Sequence, residues 1–177
     1  MQGHRESVVL ATKYSNAAPS NDPNAAGNHR KSMMQAVEAS LKRLQTDYID
    51  LYWVHIWDGI TPVEEVMRGL DDLVRQGKVL YVGISDAPAW WVAQANTLAK
   101  LRGWTQFIGL QLEYSLIERT VERALIPMGK ALNLGVLARK KWRLEGNGET
   151  VETTTEETKT AKRLMVQHFP ITMEDFS

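Results

Sequence analysis

Apolar positions recur along the chain in two alternating periods. Residues 8–11 form a short apolar run that ends at Thr12 and Lys13 and passes into a stretch rich in Ser, Asn, Pro and Gly, the pattern of a strand followed by a long loop. From Ser32 onward Met33, Val37, Leu41 and Leu44 fall at helical spacing, and residues 49–55 then give a β-branched and aromatic run, so a helix leads into a second strand. Thr61 is placed as an N-cap, with Pro62 at the first helical position and Glu64 and Glu65 in the first turn; Gly77 closes that helix ahead of a strand at residues 79–84. Residues 88–101 read as a third helix ended by Gly103, residues 107–112 as a strand, residues 121–132 as a helix and residues 135–138 as a last short strand.

Strict alternation of strand and helix implies a parallel sheet, because parallel neighbours need a crossover between them. Of the two architectures that satisfy this, the doubly wound sheet would want Gly-x-Gly-x-x-Gly after its first strand, and none stands there. Chemically capable residues cluster instead at strand C-terminal ends, namely Lys13, His55, Ser85 with Asp86, and Gln111 with Glu113. That distribution favours the barrel, whose active site lies on this face. The expected fold is therefore α/β, an incomplete (β/α)8 TIM barrel of about five parallel strands with flanking helices.

The regularity fails after Ala138. Arg139, Lys140 and Lys141 are consecutive charges, and residues 145–157 are polar and rich in Thr and Glu, which reads as a linker; residues 156–169 read as a last amphipathic helix that Pro170 is expected to stop. The organisation is thus a partial barrel over residues 1–138 and a polar linker with a C-terminal helix over residues 139–177. Five strands leave two sheet edges, so self-association through those edges is expected.

Composition narrows the partners. Lys plus Arg and Asp plus Glu both count 21, so no basic field exists to collect nucleic-acid phosphates or an anionic membrane surface. The lack of cysteine excludes disulfides, thiolate metal sites and a Cys nucleophile. Histidines at 4, 29, 55 and 168 show no i, i+4 pair, so no metal site is expected. With neither a secretory leader pattern nor a long apolar run, the expected location is cytoplasmic.

Each candidate has an ordinary reading beside the chemical one. A lysine at a strand end is most often a solvated charge. His55 is either a hydrogen-bonded histidine at the core's edge or a polar group aimed at a reacting carbonyl. Alternation places Leu51, Trp53 and His55 on one face and Asp50, Tyr52 and Val54 on the other. Ser85, Asp86 and Gln111 are common turn and strand-end residues singly, yet as a set on neighbouring strands they offer the donors and acceptors that a carboxamide can use. Trp57, two positions past His55, is a candidate wall for an apolar substrate.

Val9-Leu10-Ala11-Thr12-Lys13, the stretch from Ser40 through Leu51, His55, Gly77-Lys78-Val79-Leu80-Tyr81-Val82-Gly83-Ile84-Ser85-Asp86 and Gln111-Leu112-Glu113-Tyr114 resemble successive signatures of the aldo-keto reductase family. The likeness is to its aryl-alcohol dehydrogenase and norsolorinic acid reductase type. It implies a β/α barrel transferring hydride from NADPH to a small-molecule aldehyde or ketone, in fungal-type secondary metabolism, with an Asp, Tyr, Lys and His tetrad. Lys13 matches the lysine and His55 the histidine, while Ser85, Asp86 and Gln111 match the residues that hold the nicotinamide carboxamide of NADP(H). The family's Asp and Tyr stand about 30 to 40 residues before its lysine, in the first two βα units. Here the sequence starts only twelve residues before Lys13, and Arg139-Lys140-Lys141 stands where relatives carry Trp-Ser-Pro-Leu. Relative to the family the chain is therefore expected to be truncated and weakly active, the alternative being a noncatalytic binding or scaffold remnant.

Overall fold

The computed structural model describes residues 5–15, 22 and 24–139. Within them β1 (Ala11–Tyr14), α1 (Arg30–Leu44), β2 (Ile49–Val54), α2 (Val63–Arg75), β3 (Val79–Ser85), α3 (Ala89–Arg102), β4 (Phe107–Glu113), α4 (Leu125–Ala131) and β5 (Gly135–Arg139) follow in order. All strand neighbours are parallel and the spatial order is β1-β2-β3-β4-β5, so the sheet is a run of consecutive βα units, a partial (β/α)8 barrel.

The strands alternate between two buried environments. Tyr52, Val54, Val82, Ile84, Leu110 and Leu112 pack with Met33, Val37, Met67, Leu70, Val92 and Ala95 in one cluster between sheet and helices. Each fully buried Val, Leu, Ile or Met side chain among them contributes roughly 1.5–3 kcal/mol. The opposite face carries Lys13, Trp53, Gly83, Gly109 and Gly135, which stand side by side in register across all five strands. Two residues further along this face on β2, β3 and β4 come His55, Ser85 and Gln111.

Several boundaries differ from the sequence reading, each for a local reason. Leu10 is the hinge for β1: its carbonyl accepts from the N–H of Asp50 and of Leu51, both at 3.1 Å, and its N–H donates to Asp50 Oδ2 at 2.9 Å. Pairing therefore begins at Ala11, and Val8 stays exposed. Ahead of it Arg5, in a single 3-10 turn, holds Asp50 Oδ2 at 2.5 Å and the Tyr48 carbonyl at 2.9 Å. Helix α1 starts at Arg30 because His29 is its N-cap, Nδ1 accepting from the Ser32 N–H at 3.2 Å. Thr61 does not cap α2; its hydroxyl donates to Asp58 Oδ2 at 2.5 Å, and Pro62 takes the cap position.

The helix expected over 121–132 is split into a 3-10 turn at Thr120–Glu122 and a short α4 beginning at Leu125. Pro127 has no N–H to donate, so a helix tolerates it only in the first turn. The last strand, expected over residues 135–138, runs one residue further: Arg139 belongs to β5, paired with Glu113. The linker and C-terminal helix expected beyond it lie outside the described residues. Among the described residues no helix is long and apolar enough to cross a membrane.

Candidate active site

The C-terminal ends of β1 to β4 bring the sequence-predicted residues to one face of the sheet. Lys13 is the third residue of β1, His55 follows β2 directly, Ser85 ends β3, Asp86 comes next with a left-handed φ of 39°, and Gln111 lies near the end of β4. His55 is seated by its own backbone, whose N–H donates to the Tyr14 carbonyl at 3.0 Å. Ser85 and Gln111 are direct register partners on adjacent strands.

Lys13 Nζ donates to Gln111 Oε1. Three inter-strand spacings separate β1 from β4, about 14 Å on a flat sheet before the offset along the strands is added. Side chains stand roughly perpendicular to a sheet, so two of them meet over that separation when the sheet curves toward the face they share, as in a barrel. Burial lowers the Lys13 pKa, Arg139 adds to the lowering and Asp86 opposes it. His55 shifts the same way, through burial first, then Lys13 and Arg139, again against Asp86. The imidazole is accordingly neutral at neutral pH, with one ring nitrogen carrying a proton to donate.

Whether these residues suit a primary amide can be judged from what they leave unused. Ser85 Oγ is fully buried with no hydrogen-bond partner among the described residues, and its neighbour Gln111 keeps its amide nitrogen when Lys13 occupies the oxygen. A hydroxyl beside an amide N–H₂ complements the carbonyl and N–H₂ of a nicotinamide carboxamide. Asp86 is engaged by a residue that the sequence reading assigned to the linker: Arg139 Nη2 donates to its Oδ2 at 3.0 Å.

The loop after β2 is fixed from two sides. Asn28, fully buried, donates from Nδ2 to the Ile56 carbonyl at 2.8 Å and accepts at Oδ1 from the Asp58 N–H at 2.7 Å, and Ser15 Oγ accepts from the Ile56 N–H at 3.1 Å. On the other side the Trp57 N–H donates to the Asp86 carbonyl at 3.2 Å. Trp57 meets the exposed Trp90 edge to face, ring centroids 5.6 Å apart. The candidate substrate wall at Trp57 is thus an aromatic pair beside His55. Neither Asn28 nor Arg139 was singled out as a site residue from sequence; strand alternation counted onward from Gly135 would have found Arg139.

The five tyrosines distribute away from Lys13 with one partial exception. Tyr14 and Tyr52 are stacked in the helix-facing core, centroids 5.2 Å apart, with hydroxyls that lack partners and pKa values pushed up by burial. Tyr48 lies under the Arg5 guanidinium, and the Tyr114 hydroxyl donates to Glu122 at 2.6 Å. Tyr81 is in register with Leu51, one step below the level of Lys13, Trp53 and Gly83.

The chain belongs to the aldo/keto reductase family, whose sequence pattern matches residues 1–160. It is 44% identical over 151 residues to norsolorinic acid reductase of Aspergillus flavus, the match covering 82% of this chain and 38% of that protein. Norsolorinic acid reductase stcV of Emericella nidulans is 45% identical over 153 residues, covering 84% and 39%. Aryl-alcohol dehydrogenase [NADP(+)] of Phanerodontia chrysosporium is 45% identical over 135 residues, covering 72% and 35%. The chain spans less than two fifths of the length of these relatives.

Proposed function

We propose that the chain carries part of the active site of a cytosolic, NADP(H)-dependent carbonyl reductase that converts an aldehyde or ketone to an alcohol, in the fungal-type secondary metabolism that the relatives' names point to. The observation that carries this reading is the meeting of Lys13 with Gln111 across the two strands between them, beside His55 and the Ser85 hydroxyl that no described residue pairs. A bound reduced nicotinamide supplies the hydride. Ser85 and Gln111 hold its carboxamide, and Asp86, tied to Arg139, shapes the rim. His55 donates a hydrogen bond that orients and polarises the substrate oxygen, while the Lys13 ammonium favours negative charge as it develops there and lowers the pKa of a hydroxyl placed next to it. The Trp57 and Trp90 pair offers apolar area to an aromatic carbonyl compound.

No tyrosine stands at the level of Lys13 among the described residues, so the proton donor is weakly provided. General acid catalysis contributes about 10² to 10⁴ in rate. With NADPH and an aromatic aldehyde, turnover of the 177-residue chain is expected about 10² to 10⁴ below that of a full-length aryl-alcohol dehydrogenase, with the residue lost in Lys13→Met and His55→Phe. Turnover near the relative's and lost in Lys13→Met would show another donor at work, with Tyr81 the first to test. A rate indifferent to both substitutions would remove the assignment. Cofactor binding without turnover would favour the second reading, a binding remnant, which the placement of the tyrosines supports.

A further inference from the structure

β2 ends at Val54, and beyond His55 the chain leaves the sheet pattern, so the direction of the imidazole depends on what holds residues 55–58 from outside. Burial of Ile56 does not hold them, because its side chain is exposed. Its backbone is gripped instead. The Ile56 carbonyl accepts from Asn28 Nδ2 at 2.8 Å and from Ser15 Oγ at 3.1 Å, and the Ile56 N–H donates to Ser15 Oγ at 3.1 Å. Asp58 is held in the same way: its N–H donates to Asn28 Oδ1 at 2.7 Å and its Oδ2 accepts from the Asn28 N–H at 2.8 Å. Asn28 is fully buried and spends both ends of its amide on this one loop.

Ser15 and Asn28 both belong to the connection that follows Lys13, and they are joined there, the Gly27 N–H donating to the Ser15 carbonyl at 3.1 Å. Ser15 stands two residues after Lys13 with a φ of 90°, a left-handed conformation that serine rarely adopts. Strain of this kind persists where the surroundings over-determine it, and here it accompanies a hydroxyl that reaches both backbone polar groups of Ile56. The same two residues therefore tie the end of β1 to the end of β2, the strands that carry Lys13 and His55. We propose that Ser15 and Asn28 are positioning residues that hold the His55 imidazole at a fixed place relative to Lys13. They act through the backbone of residues 55–58 rather than on a ligand. Placement matters because a group about 1 Å out of position can cost about 10²-fold in rate. The inference rests on the reading of Lys13 and His55 as partners in one site.

Proton NMR titration of His55 in the whole chain, its signal assigned as the one lost in His55→Phe, tests this without turnover. Burial, Lys13 and Arg139 lower the His55 pKa and Asp86 opposes them, so the rise caused by Lys13→Met measures how strongly the two residues are coupled. In the Asn28→Ala and Ser15→Gly backgrounds that rise is expected to shrink to about half or less of its wild-type size, as the imidazole samples places further from the ammonium. Ser15→Gly removes the hydroxyl while suiting the left-handed φ, which covers the case in which Asn28→Ala fails to fold. Asn24→Ala changes a residue of the same connection whose amide bonds to Asp22, and is expected to leave the coupling at its wild-type size. A role in stability alone would lower the unfolding midpoint and leave the coupling untouched. An undiminished rise in either folded variant therefore overturns positioning by that residue while the pairing of Lys13 with His55 stands. A loss of coupling in Asn24→Ala as large as in the other two also overturns the proposal. No rise on Lys13→Met in the otherwise wild-type chain overturns the pairing itself, and the positioning role with it.

Discussion

The indole of Trp53 lies against Gly83 and Gly109, which follow it in register on β3 and β4, so that one side chain covers two neighbouring strands beside Lys13 and one level beneath Ser85 and Gln111. A methyl group on Gly83 would meet Trp53 Cζ3 at 2.5 Å, and one on Gly109 would meet Cη2 at 2.9 Å. The indole is itself buried, so it has no free direction in which to yield. Gly83→Ala is expected to destabilise the fold by about 1–3 kcal/mol through overpacking, and Trp53→Leu in the same chain to restore part of the loss. Urea midpoints of the two single variants and the double variant measure this; a Gly83→Ala change within about 0.5 kcal/mol of wild type would mean that the indole is not a fixed floor.

Asp71 staples α2 to the turn before β4. Its Oδ1 accepts from the Thr105 N–H at 2.9 Å and hydroxyl at 3.1 Å, and its Oδ2 from Arg75 Nε at 2.6 Å. Burial alone would raise its pKa, but the hydrogen bonds from Thr105 and Arg75 outweigh burial and lower it. A carboxylate with a lowered folded pKa adds stability that is complete above its unfolded value, about 3.9, and is lost as pH falls through the folded value. Asp71→Asn should therefore destabilise by about 1–3 kcal/mol at neutral pH, with the gap to wild type closing below about pH 4. A gap independent of pH would contradict the staple.

His55 should titrate below the ordinary histidine value of about 6.5. Its cationic form is disfavoured in the fold, so the unfolded chain takes up the proton first; stability is complete above about pH 6.5 and declines as pH falls from there toward the folded pKa. Removing either neighbouring cation should raise the value, Lys13→Met by more than Arg139→Gln. Proton NMR titration of the imidazole decides it. A His55 pKa that neither variant moves would separate these residues electrically.

β1 and β5 are the outer strands of the described sheet, each paired on one side. Unpaired strand edges beside apolar faces invite pairing with another chain. The 177-residue chain is therefore expected to self-associate, as light scattering after size exclusion would report; a compact monomer of 20.0 kDa that unfolds in one sharp transition would contradict this.

Element order, parallel pairing and the residues at the strand ends were legible in the sequence because each rests on a local pattern. The run from Ile49 to Val54 cannot be mistaken for a polar helix, and counting by twos from Leu51 puts His55 on the concave face. What sequence reading missed depends on distant partners. The start of β1 is set by hydrogen bonds between Leu10 and Asp50, forty residues apart along the chain. Asn28 sits in a polar loop where its role as a clamp on Ile56 and Asp58 has no periodic signature. Arg139 was hidden by its neighbours: beside Lys140 and Lys141 it reads as one of a run of solvated charges, although its position in β5 directs it toward Asp86. Gly83 and Gly109 carry no visible meaning until register sets both under one indole.

Cofactor affinity tests the central claim most directly, because Ser85 and Gln111 are register partners whose unused polar atoms complement a carboxamide. Fluorescence titration of the 177-residue chain with NADPH, repeated for Ser85→Ala and Gln111→Ala, is the measurement. The account predicts saturable binding that each substitution weakens about tenfold, as expected for the loss of one well-placed hydrogen bond. Identical affinity in all three proteins, or no saturable binding to the wild type, would contradict it.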